Sequence, residues 1–377
     1  MTEGPRTVLQ VLPALVAGGV ERGTLEIAEA LAGAGWRPLV ASAGGPMVRP
    51  LERTSACHVA LPLGRKSPIG IWRNAAALAR LIRAEKVDIV HARSRAPAWA
   101  ALLAAQRTGA RFVTTYHGAY NEGWPGKRLY NSVMARGERV IAISEFIACH
   151  VRERHGIDYP QLRVVPRGVD PARFDPEAVA PERVAALRAA WTVPEGRKVV
   201  LLPARLTRWK GQTVLLDAAT ELPEDVLVVL VGEGGLRRAL EKQARRLGIA
   251  GRVRIAGHAD DMPAALLLAD LVVHASTDPE AFGRTVIEAQ AMARPVIASD
   301  LGAPRETVEE GVTGWRVAPG DPAALAAAIR RALDMPAEMR AEVGRQARRA
   351  VMERYTKRAM QDATLALYRE LLCREPL

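Results

Sequence analysis

The segment Lys198–Val231, KVVLLPARLTRWKGQTVLLDAATELPEDVLVVLV, decides the fold. Two nearly continuous apolar runs, Lys198–Leu202 and Val226–Val231, flank the amphipathic stretch Gly211–Thr220. Apolar runs without polar alternation are typical of strands covered on both faces, and strands that alternate with helices pair in parallel. The segment therefore predicts a strand–helix–strand unit of a parallel sheet.

The same alternation extends along the whole chain. In the first half the predicted strands are Thr7–Leu12, Leu39–Ser42, Val87–His91, Phe112–Tyr116, Val140–Ser144 and Arg163–Pro166. In the second half they are Lys198–Leu202, Val226–Val231, Val253–Ala256, Leu271–Ala275, Pro295–Ala298 and Trp315–Val317. Two series of about six strands predict an α/β protein with two doubly wound, Rossmann-like domains.

The proline-rich stretch Pro171–Arg197 is the predicted boundary between these domains. We predict an N-terminal domain over residues 1–180 and a C-terminal domain over residues 181–357. The segment Glu338–Leu372 has a helical pattern throughout, and no strand follows it. We expect its last part, about residues 358–377, to cross back and pack on the first domain.

Positive charge is concentrated in the first half of the chain. Residues 1–190 carry 26 Lys and Arg against 16 Asp and Glu, whereas the remaining residues carry 27 against 25. Such an excess attracts anionic partners such as phosphorylated lipids, an acidic membrane surface or nucleic acid. A solvated, arginine-rich surface explains it equally well.

The location of the protein follows from its start and its hydropathy. Met1–Arg6 is polar and leads directly into a strand, and no apolar run approaches the ~20 residues of a spanning helix. The three cysteines are far apart, as expected of reduced thiols. We expect the protein in the cytoplasm, either free or peripheral on the inner face of the cytoplasmic membrane.

Open α/β sheets bind ligands at the carboxyl ends of their strands, so residues that follow strands are candidates for a site. Gly18 and Gly19 open a helix, where backbone N–H groups can meet an anion, although a tight turn without a ligand explains them equally well. Arg205 and Lys210 follow another strand, and two cations there suit a departing diphosphate. A solvated basic loop is the alternative.

The stretch Ser276–Glu288, STDPEAFGRTVIE, follows the strand Leu271–Ala275. We expect its helix to begin near Gly283, so that free N–H groups can receive phosphate oxygens. Glu280 precedes this helix and Glu288 lies about two turns into it, and each carboxylate can accept hydrogen bonds from a sugar diol. The apolar neighbours of Glu288 distinguish it from an ordinary solvated charge.

Together these motifs resemble the retaining glycosyltransferases of family four (glycosyl transferases group 1). The resemblance covers nearly the whole chain and rests on Gly18–Arg22, Thr115–Gly118, Ile141–Ser144, Val165–Asp170, Arg205–Gly211, Val231–Gly234, Glu280–Ala289 and Ala293–Ser299. It implies the GT-B fold, in which two Rossmann-like domains face each other across a cleft. It also implies transfer of a sugar from a nucleotide-sugar co-substrate, without a cofactor.

The resemblance implies roles for individual residues. Arg205 and Lys210 would neutralise the donor diphosphate. Glu280 would contact the transferred sugar and His117 would lie beside its anomeric carbon, which makes these four the implied catalytic residues. Glu288 would hold the ribose. The other implied donor-binding residues are Gly18, Gly19, Gly232, Gly234, His258, Phe282, Gly283, Arg284 and Thr285.

Two positions depart from the family pattern. The family often has Asn where Arg167 stands and Gly where Ala293 stands. Arg167 adds charge near a strand end, and together with Arg93, at another strand end, it is a candidate for the acceptor site. Ala293 is expected to be harmless.

No metal is expected, because the sequence contains no Asp-x-Asp triplet, no HExxH and no Cys/His cluster. Arg205 and Lys210 would replace the metal electrostatically. The family resemblance implies front-face attack, in which the leaving diphosphate helps to accept the acceptor's proton.

Two stretches of the first half, Arg65–Arg73 and Trp124–Tyr130, mix cations with large apolar side chains. This mixture suits a membrane surface or an anionic glycolipid. A lipopolysaccharide core, a related cell-envelope glycan or a glycolipid is then the expected acceptor. Ordinary helix starts with a buried aromatic residue are the alternative.

Rival functions fit the sequence less well. A nucleic-acid-binding protein would show exposed aromatics or a known module, yet aromatics make up only 5% of the chain. An NAD-dependent oxidoreductase would show GxGxxG after its first strand, and Gly18-Gly19 lacks that spacing. A sugar-nucleotide epimerase has a similar fold, and it is disfavoured only because the sequence matches the transferase motifs better. We expect no nucleic-acid partner, and a basic membrane-binding protein without catalysis is a further alternative.

Overall fold

The computed structural model describes residues 5–16, 18–123 and 125–373. The chain divides into two units, of which the first ends at Arg167 and resumes at Arg358, whereas the second spans Gly168–Lys357. Each unit contains one parallel sheet between helices, so the predicted α/β class with two Rossmann-like domains is confirmed.

The sheet of the first unit has seven parallel strands in the order β3-β2-β1-β4-β5-β6-β7. Their bounds are β1 Thr7–Val11, β2 Arg37–Ser42, β3 Cys57–Ala60, β4 Ile89–Ala92, β5 Arg111–Tyr116, β6 Arg139–Ala142 and β7 Leu162–Val164. The helices between them are α1 Gly19–Gly33, α2 Val48–Glu52, α3 Pro68–Ala84, α4 Arg95–Thr108, α5 Lys127–Ser132 and α6 Glu145–His155.

The ends of these helices follow from local sequence. Ser67 caps α3 by accepting a hydrogen bond from the Gly70 amide at 3.2 Å, and Pro68 occupies the first helical position. Ser144 caps α6 in the same way. Gly109 and Gly156 end α4 and α6 in the left-handed conformation, which glycine adopts without steric cost.

Strand β3 was not among the predicted strands. Its sequence, Cys57-His58-Val59-Ala60, has no continuous apolar run, and its residues are only partly buried or exposed. It lies at the edge of the sheet, where β2 is its only neighbouring strand in the described sheet. Apolar runs therefore do not predict this edge strand.

The predicted crossing helix is α15, Lys357–Leu372, of which residues from Arg358 onward belong to the first unit. Tyr368 stacks on Trp36 with ring centroids 6.4 Å apart, and Gln361 donates to the Glu26 carbonyl at 2.7 Å. Glu370 accepts hydrogen bonds from the guanidinium groups of Arg139 and Arg163, at 2.8 and 3.2 Å. Residues 374–377 of the predicted helix lie outside the described residues.

The sheet of the second unit has six parallel strands in the order β10-β9-β8-β11-β12-β13. Their bounds are β8 Lys198–Pro203, β9 Val226–Val231, β10 Val253–Gly257, β11 Leu271–His274, β12 Val296–Ser299 and β13 Trp315–Val317. The helices are α7 Pro181–Ala190, α8 Gln212–Ala218, α9 Arg237–Arg246, α10 Met262–Leu268, α11 Arg284–Ala291, α12 Pro304–Thr307, α13 Pro322–Asp334 and α14 Ala337–Arg354.

The second unit begins at Gly168, whereas the sequence places the domain boundary at 180/181. The intervening residues bind to the end of the same unit. Asp170 accepts a hydrogen bond from Lys357 at 2.7 Å, and Asp175 accepts one from Arg348 at 3.1 Å. The prolines of this stretch indicate irregular backbone, but only the contacts decide the unit to which it belongs.

Within the described ranges, no helix is both long and apolar enough to cross a lipid bilayer.

Candidate functional site

Both sheets reverse their strand order at one point. In the first unit β1 lies between β2 and β4, and in the second unit β8 lies between β9 and β11. Connections leave such a pair of strands in opposite directions and open a crevice at their carboxyl ends, where ligands of this fold bind. Ligand sites are therefore expected at the loops that follow β1 and β4 and at those that follow β8 and β11.

In the second unit the two loops at the reversal touch each other through a glycine. Gly211 has a φ of 72°, and a Cβ added to it would lie only 1.8 Å from the Ala275 carbonyl oxygen. The Thr277 amide donates to the Trp209 carbonyl at 2.8 Å. Only glycine permits this approach, which places the end of one loop against the start of the other.

The contact between the loops joins two predicted catalytic residues, Lys210 and Glu280, in an ion pair. Ser276 donates to the same Glu280 oxygen at 3.0 Å, and His274 Nε2 lies 3.3 Å from it. The Glu280 side chain is only 12% exposed. Lys210 also lies over the Trp209 ring, 4.1 Å from its centroid.

These partners hold Glu280 in its ionised form. Burial alone would raise its pKa, but the hydrogen bond and charge of His274, together with Lys210, outweigh burial and lower the pKa to about 2. The carboxylate is then an acceptor of hydrogen bonds and is poorly suited to donate a proton near neutral pH. Its chemistry is that of a binding group.

Gly283, with a φ of 80°, precedes the first residue of α11. The ring of Phe282 is buried and meets Tyr355 edge-on at 5.8 Å, so this residue can offer only its backbone to a ligand. Glu288 is buried in α11, with its Oε1 3.8 Å from Nε of Arg284. The N-terminal end of α11 thus carries Arg284 and Thr285, and the Val286 amide of its first turn donates to the Gly283 carbonyl at 2.9 Å.

Two glycines after β9 position the loop that carries Arg205. A Cβ on Gly232 would lie 2.1 Å from the Ala204 carbonyl oxygen, and one on Gly234 would lie 2.3 Å from that of Leu206. Arg205 itself is exposed, and in the described part of the chain no carboxylate pairs with its guanidinium. Arg205 is therefore an uncompensated cation in the loop after β8, the same loop that carries Lys210 of the ion pair.

His258 is not brought to this group of residues. It follows the edge strand β10, its side chain is 70% exposed, and its Nε2 lies 3.3 Å from Asp260. Its assignment to the donor site stays a prediction.

In the first unit, the predicted residues Arg93, His117 and Arg167 form a largely buried polar cluster. Nη2 of Arg167 lies 2.6 Å from Nδ1 of His117, and Nε of Arg93 donates to Gln10 at 2.7 Å. A Cβ on Gly23 of α1 would lie 2.3 Å from Arg167 Nη1, so the helix leaves room for this guanidinium.

Burial governs the protonation of the cluster. It lowers the pKa of Arg93 to about 10, although Tyr368 and Glu26 oppose the shift. Burial, and then the charges of Arg167 and Arg93, lower the pKa of His117 well below its ordinary value. Nη2 of Arg93 and Nε2 of His117 are buried atoms without a hydrogen-bond partner among the described residues.

Gly18 and Gly19 lie at the exposed start of α1. Gly18 has a φ of 147°, and a Cβ there would come within 2.7 Å of the Glu21 carboxylate. The turn is therefore one that glycine permits, and a role at the donor stays a prediction. Ala17, part of the same motif, lies outside the described residues.

The sequence analysis did not single out His274 in the second unit or Tyr368 in the first. His274 is the last residue of β11 and contacts Glu280, and its strand-end position could have identified it. In the first unit, Tyr368 of α15 approaches His91 Nδ1 at 2.5 Å, while Thr115 approaches His91 Nε2 at 2.7 Å. Tyr368 is far from any strand end in the sequence, and no local signal identifies it.

Comparison with known proteins gives matches over both units. The family model "Glycosyltransferase Family 4" matches residues 17–173, and the model "Glycosyl transferases group 1" matches residues 184–350. The crystal structure of a glycosyltransferase from Rickettsia africae ESF-5 is 36% identical, with a TM-score of 0.90 over 99% of this chain and 100% of that one.

Two further matches concern named activities or ligands. The D-inositol 3-phosphate glycosyltransferase of Xylanimonas cellulosilytica is 29% identical, over 96% of this chain and 93% of its own. Anabaena Alr3699/HepE, solved in complex with UDP-glucose, is 25% identical, with a TM-score of 0.84 over 97% of this chain and 99% of its own.

Proposed function

This chain belongs to the group 1 glycosyltransferases of family 4, which use nucleotide-sugars, and we propose that it transfers a hexosyl group with retention to a cell-envelope glycan or glycolipid. The observation that carries the proposal is the ion pair of Lys210 with Glu280 at the strand reversal of the second unit, with Arg205 exposed in the same loop as Lys210. It combines cations for a diphosphate with an ionised acceptor for sugar hydroxyls.

The proposed donor site divides these tasks between its residues. Arg205 and Lys210 bind the diphosphate and stabilise the charge that grows on it as the bond to the sugar breaks. Backbone N–H groups at the start of α11 bind further phosphate oxygens. Glu280 accepts hydrogen bonds from the sugar, and Glu288 accepts them from the ribose. Fixed positive charges do this work in our proposal, without a metal ion.

The proposed reaction occurs on one face of the sugar. The bond between the anomeric carbon and the diphosphate oxygen breaks, and the acceptor hydroxyl forms its bond on the same face. The hydroxyl proton passes to the leaving diphosphate oxygen. His117, with its unpartnered Nε2, is proposed to lie beside the sugar and to donate a hydrogen bond to it. No protein nucleophile is required by this scheme.

We further propose that the acceptor is anionic and reaches the enzyme at a membrane surface. Ile69 and Trp72 of α3 are 67% and 60% exposed, so the reading of this stretch as a helix start with a buried aromatic is wrong. Arg65, Lys66 and Arg73 are exposed on the same segment. Trp124, which belongs to the second predicted surface stretch, lies outside the described residues.

The proposed function is tested by measuring transfer after substitution of the two cations. We expect Arg205→Ala and Lys210→Ala to lower the transfer rate by ~10²-fold at saturating donor, the scale of one lost transition-state contact. Arg208→Ala is the matched control, because Arg208 is an exposed cation of the same loop. Near-normal turnover in Arg205→Ala or Lys210→Ala would refute the assignment.

The donor itself is identified by the thermal shift that each nucleotide-sugar of a panel produces, because a ligand that binds only the folded state raises its melting temperature. UDP-glucose is the first compound to include, since a relative binds it. Product analysis with and without a glycan acceptor separates transfer from epimerisation of the donor.

A further inference from the structure

A second basic site lies at the carboxyl end of the first unit's sheet, apart from the buried cluster of Arg93, His117 and Arg167. It is a cavity of about 400 Å³ whose lining includes Lys66, Arg95, Lys127 and Tyr130. Lys66 follows β3, Arg95 follows β4, and Lys127 follows β5. The connection after each of these three strands, either in its loop or at the first residue of the helix that follows, therefore contributes one cation to the cavity.

Neutral groups hold these cations in place. Arg95 donates to the side-chain oxygen of Asn131 at 2.9 Å and lies over the Tyr120 ring at 4.3 Å. Lys127 donates to the side-chain oxygen of Asn121, and Asn131 donates to the Asn121 backbone carbonyl at 3.2 Å. The two amide side chains thus position both cations without cancelling their charge.

The charge of the cavity is uncompensated. Over the described ranges, no carboxylate pairs with Lys66, Arg95 or Lys127. Arg95 is moreover the first residue of α4, where the helix dipole disfavours a positive charge. An anion that enters the cavity would stabilise these oriented cations. Carboxylate and phosphate oxygens suit the N–H donors of Arg and Lys.

We propose that this cavity binds the phosphate ester group of the acceptor. The inference rests on the proposed function in one respect, namely that the first unit receives the acceptor. A volume of about 400 Å³ is within the ordinary range of small-molecule sites and exceeds the size of a phosphate group alone. The remaining space is available to the sugar or polyol that carries the phosphate.

The test measures binding of glycerol 1-phosphate to the full-length protein by calorimetry, with glycerol as the uncharged comparison. We expect Lys66→Gln and Lys127→Gln each to raise the Kd by about tenfold, the scale of one charge-assisted hydrogen bond. Arg80→Gln is the matched control, because it removes an exposed charge of the neighbouring helix α3 outside both the cavity and the basic stretch Arg65–Arg73. We expect it to change the Kd less than about twofold.

The proposal is overturned if the two lysine variants, Arg80→Gln and the wild type all have the same Kd. It is also overturned if all three variants weaken binding equally, because that result indicates only the general positive field of the unit. If glycerol 1-phosphate binds at Arg205 in the second unit instead, the Arg205→Ala variant will weaken that binding. The cavity can bind glycerol 1-phosphate whether or not Arg205→Ala loses transfer activity. Failure of the proposed function and failure of this inference are therefore distinguishable.

A second arm distinguishes a lipid headgroup from a free phosphate ester. Vesicles of phosphatidylcholine with phosphatidic acid are sedimented with the protein, with and without excess glycerol 1-phosphate. Binding that Lys66→Gln weakens and glycerol 1-phosphate competes away supports a lipid-borne phosphate. Lysine-dependent binding of glycerol 1-phosphate without vesicle binding supports a water-soluble acceptor. Binding of neither probe overturns the proposal.

Discussion

Arg167 donates a hydrogen bond from Nη2 to Nδ1 of His117 across 2.6 Å. A guanidinium can only donate, so Nδ1 must accept, and the proton of the neutral imidazole is placed on Nε2. Nε2 is a buried atom that has no partner in the described part of the protein. Arg167, which departs from the family pattern, therefore fixes the tautomer of His117 and leaves the buried Nε2–H as a donor without a partner among the described residues.

The His117 tautomer is the first testable consequence. We expect long-range ¹H–¹⁵N spectra to show a neutral ring protonated on Nε2 at neutral pH. In Arg167→Met the donor and one of the charges that lower the pKa are removed, so the pKa of His117 should rise and the tautomer preference should weaken. Arg167→Lys, which keeps the charge, is the control. A wild-type ring protonated on Nδ1 would contradict this arrangement.

The ion pair of Lys210 with Glu280 predicts opposite effects on nucleotide binding and on transfer. Glu280→Gln retains the shape and the possible bonds to Ser276 but leaves Lys210 without its counter-charge. We expect nucleoside diphosphate to bind as tightly or more tightly, whereas kcat/KM for transfer falls by about 10²-fold. Asp278→Asn makes the same charge change on an exposed residue of the loop and should alter neither quantity. A parallel loss of nucleotide binding in Glu280→Gln would show that the carboxylate holds the nucleotide.

Stability should decrease in mild acid because His91 is buried in its neutral form. Burial, followed by the charges of Arg93 and Arg167, lowers its pKa well below 6.5. The unfolded chain binds a proton near pH 6.5 and the folded chain does not, so falling pH favours unfolding from that point downward. The slope contributed by His91 is at most about 1.4 kcal/mol per pH unit.

Urea unfolding between about pH 7 and pH 5 measures this slope, over the range in which an unperturbed histidine titrates. His91→Gln should flatten it. His258→Gln is the control and should leave it unchanged, because the His258 side chain is 70% exposed. An identical slope in His91→Gln and the wild type would assign the acid sensitivity to other groups.

Ala293 adopts a conformation that favours glycine. Its φ is 52°, and it follows α11 in a turn in which its amide donates to Gln290 O at 2.9 Å and the Arg294 amide donates to Ala289 O at 3.0 Å. This is the hydrogen-bond pattern of a helix end that usually carries glycine. From the sequence we expect alanine to be harmless at this position. Its left-handed backbone conformation instead costs about 1 kcal/mol of conformational free energy.

Ala293→Gly should therefore leave the free energy of unfolding unchanged or raise it by up to about 1 kcal/mol, since relief of strain is partly offset by the entropy of the unfolded chain. Ala186→Gly is the control within a regular helix, α7, and should lower stability by about 1 kcal/mol. A comparable loss in both variants would contradict the strain at Ala293.

The exposed apolar residues of α3 predict membrane binding that depends on salt. In flotation with anionic vesicles, we expect the wild type to rise with lipid at low salt and to dissociate as salt screens the basic residues. Trp72→Ser should reduce the bound fraction, whereas Met339→Ser, an exposed apolar residue of the second unit, should not. Absence of lipid-bound protein at low salt would remove the membrane proposal.

Much of the fold follows from the sequence because the side chains of a continuous apolar run such as Val226–Val231 leave water only when both faces of the strand are buried. Strand ends then point to Arg205, Lys210 and Glu280. The short strand Cys57–Ala60 escapes this reasoning, since pairing with β2 rather than its own pattern makes it a strand. The residues 168–180 likewise join the second unit through contacts with Arg348 and Lys357.

The sequence by itself determined the two parallel sheets, their helices and the strand ends at which the candidate residues lie, because these depend on periodicity and on local backbone preference. Only the tertiary structure decided which side chains meet. It placed His274 and Ser276 on Glu280, set Tyr368 against His91, and brought Lys66, Arg95 and Lys127 to one cavity. Such contacts join residues from separate loops, and their charges and hydrogen bonds acquire meaning only when packing brings them within a few ångströms.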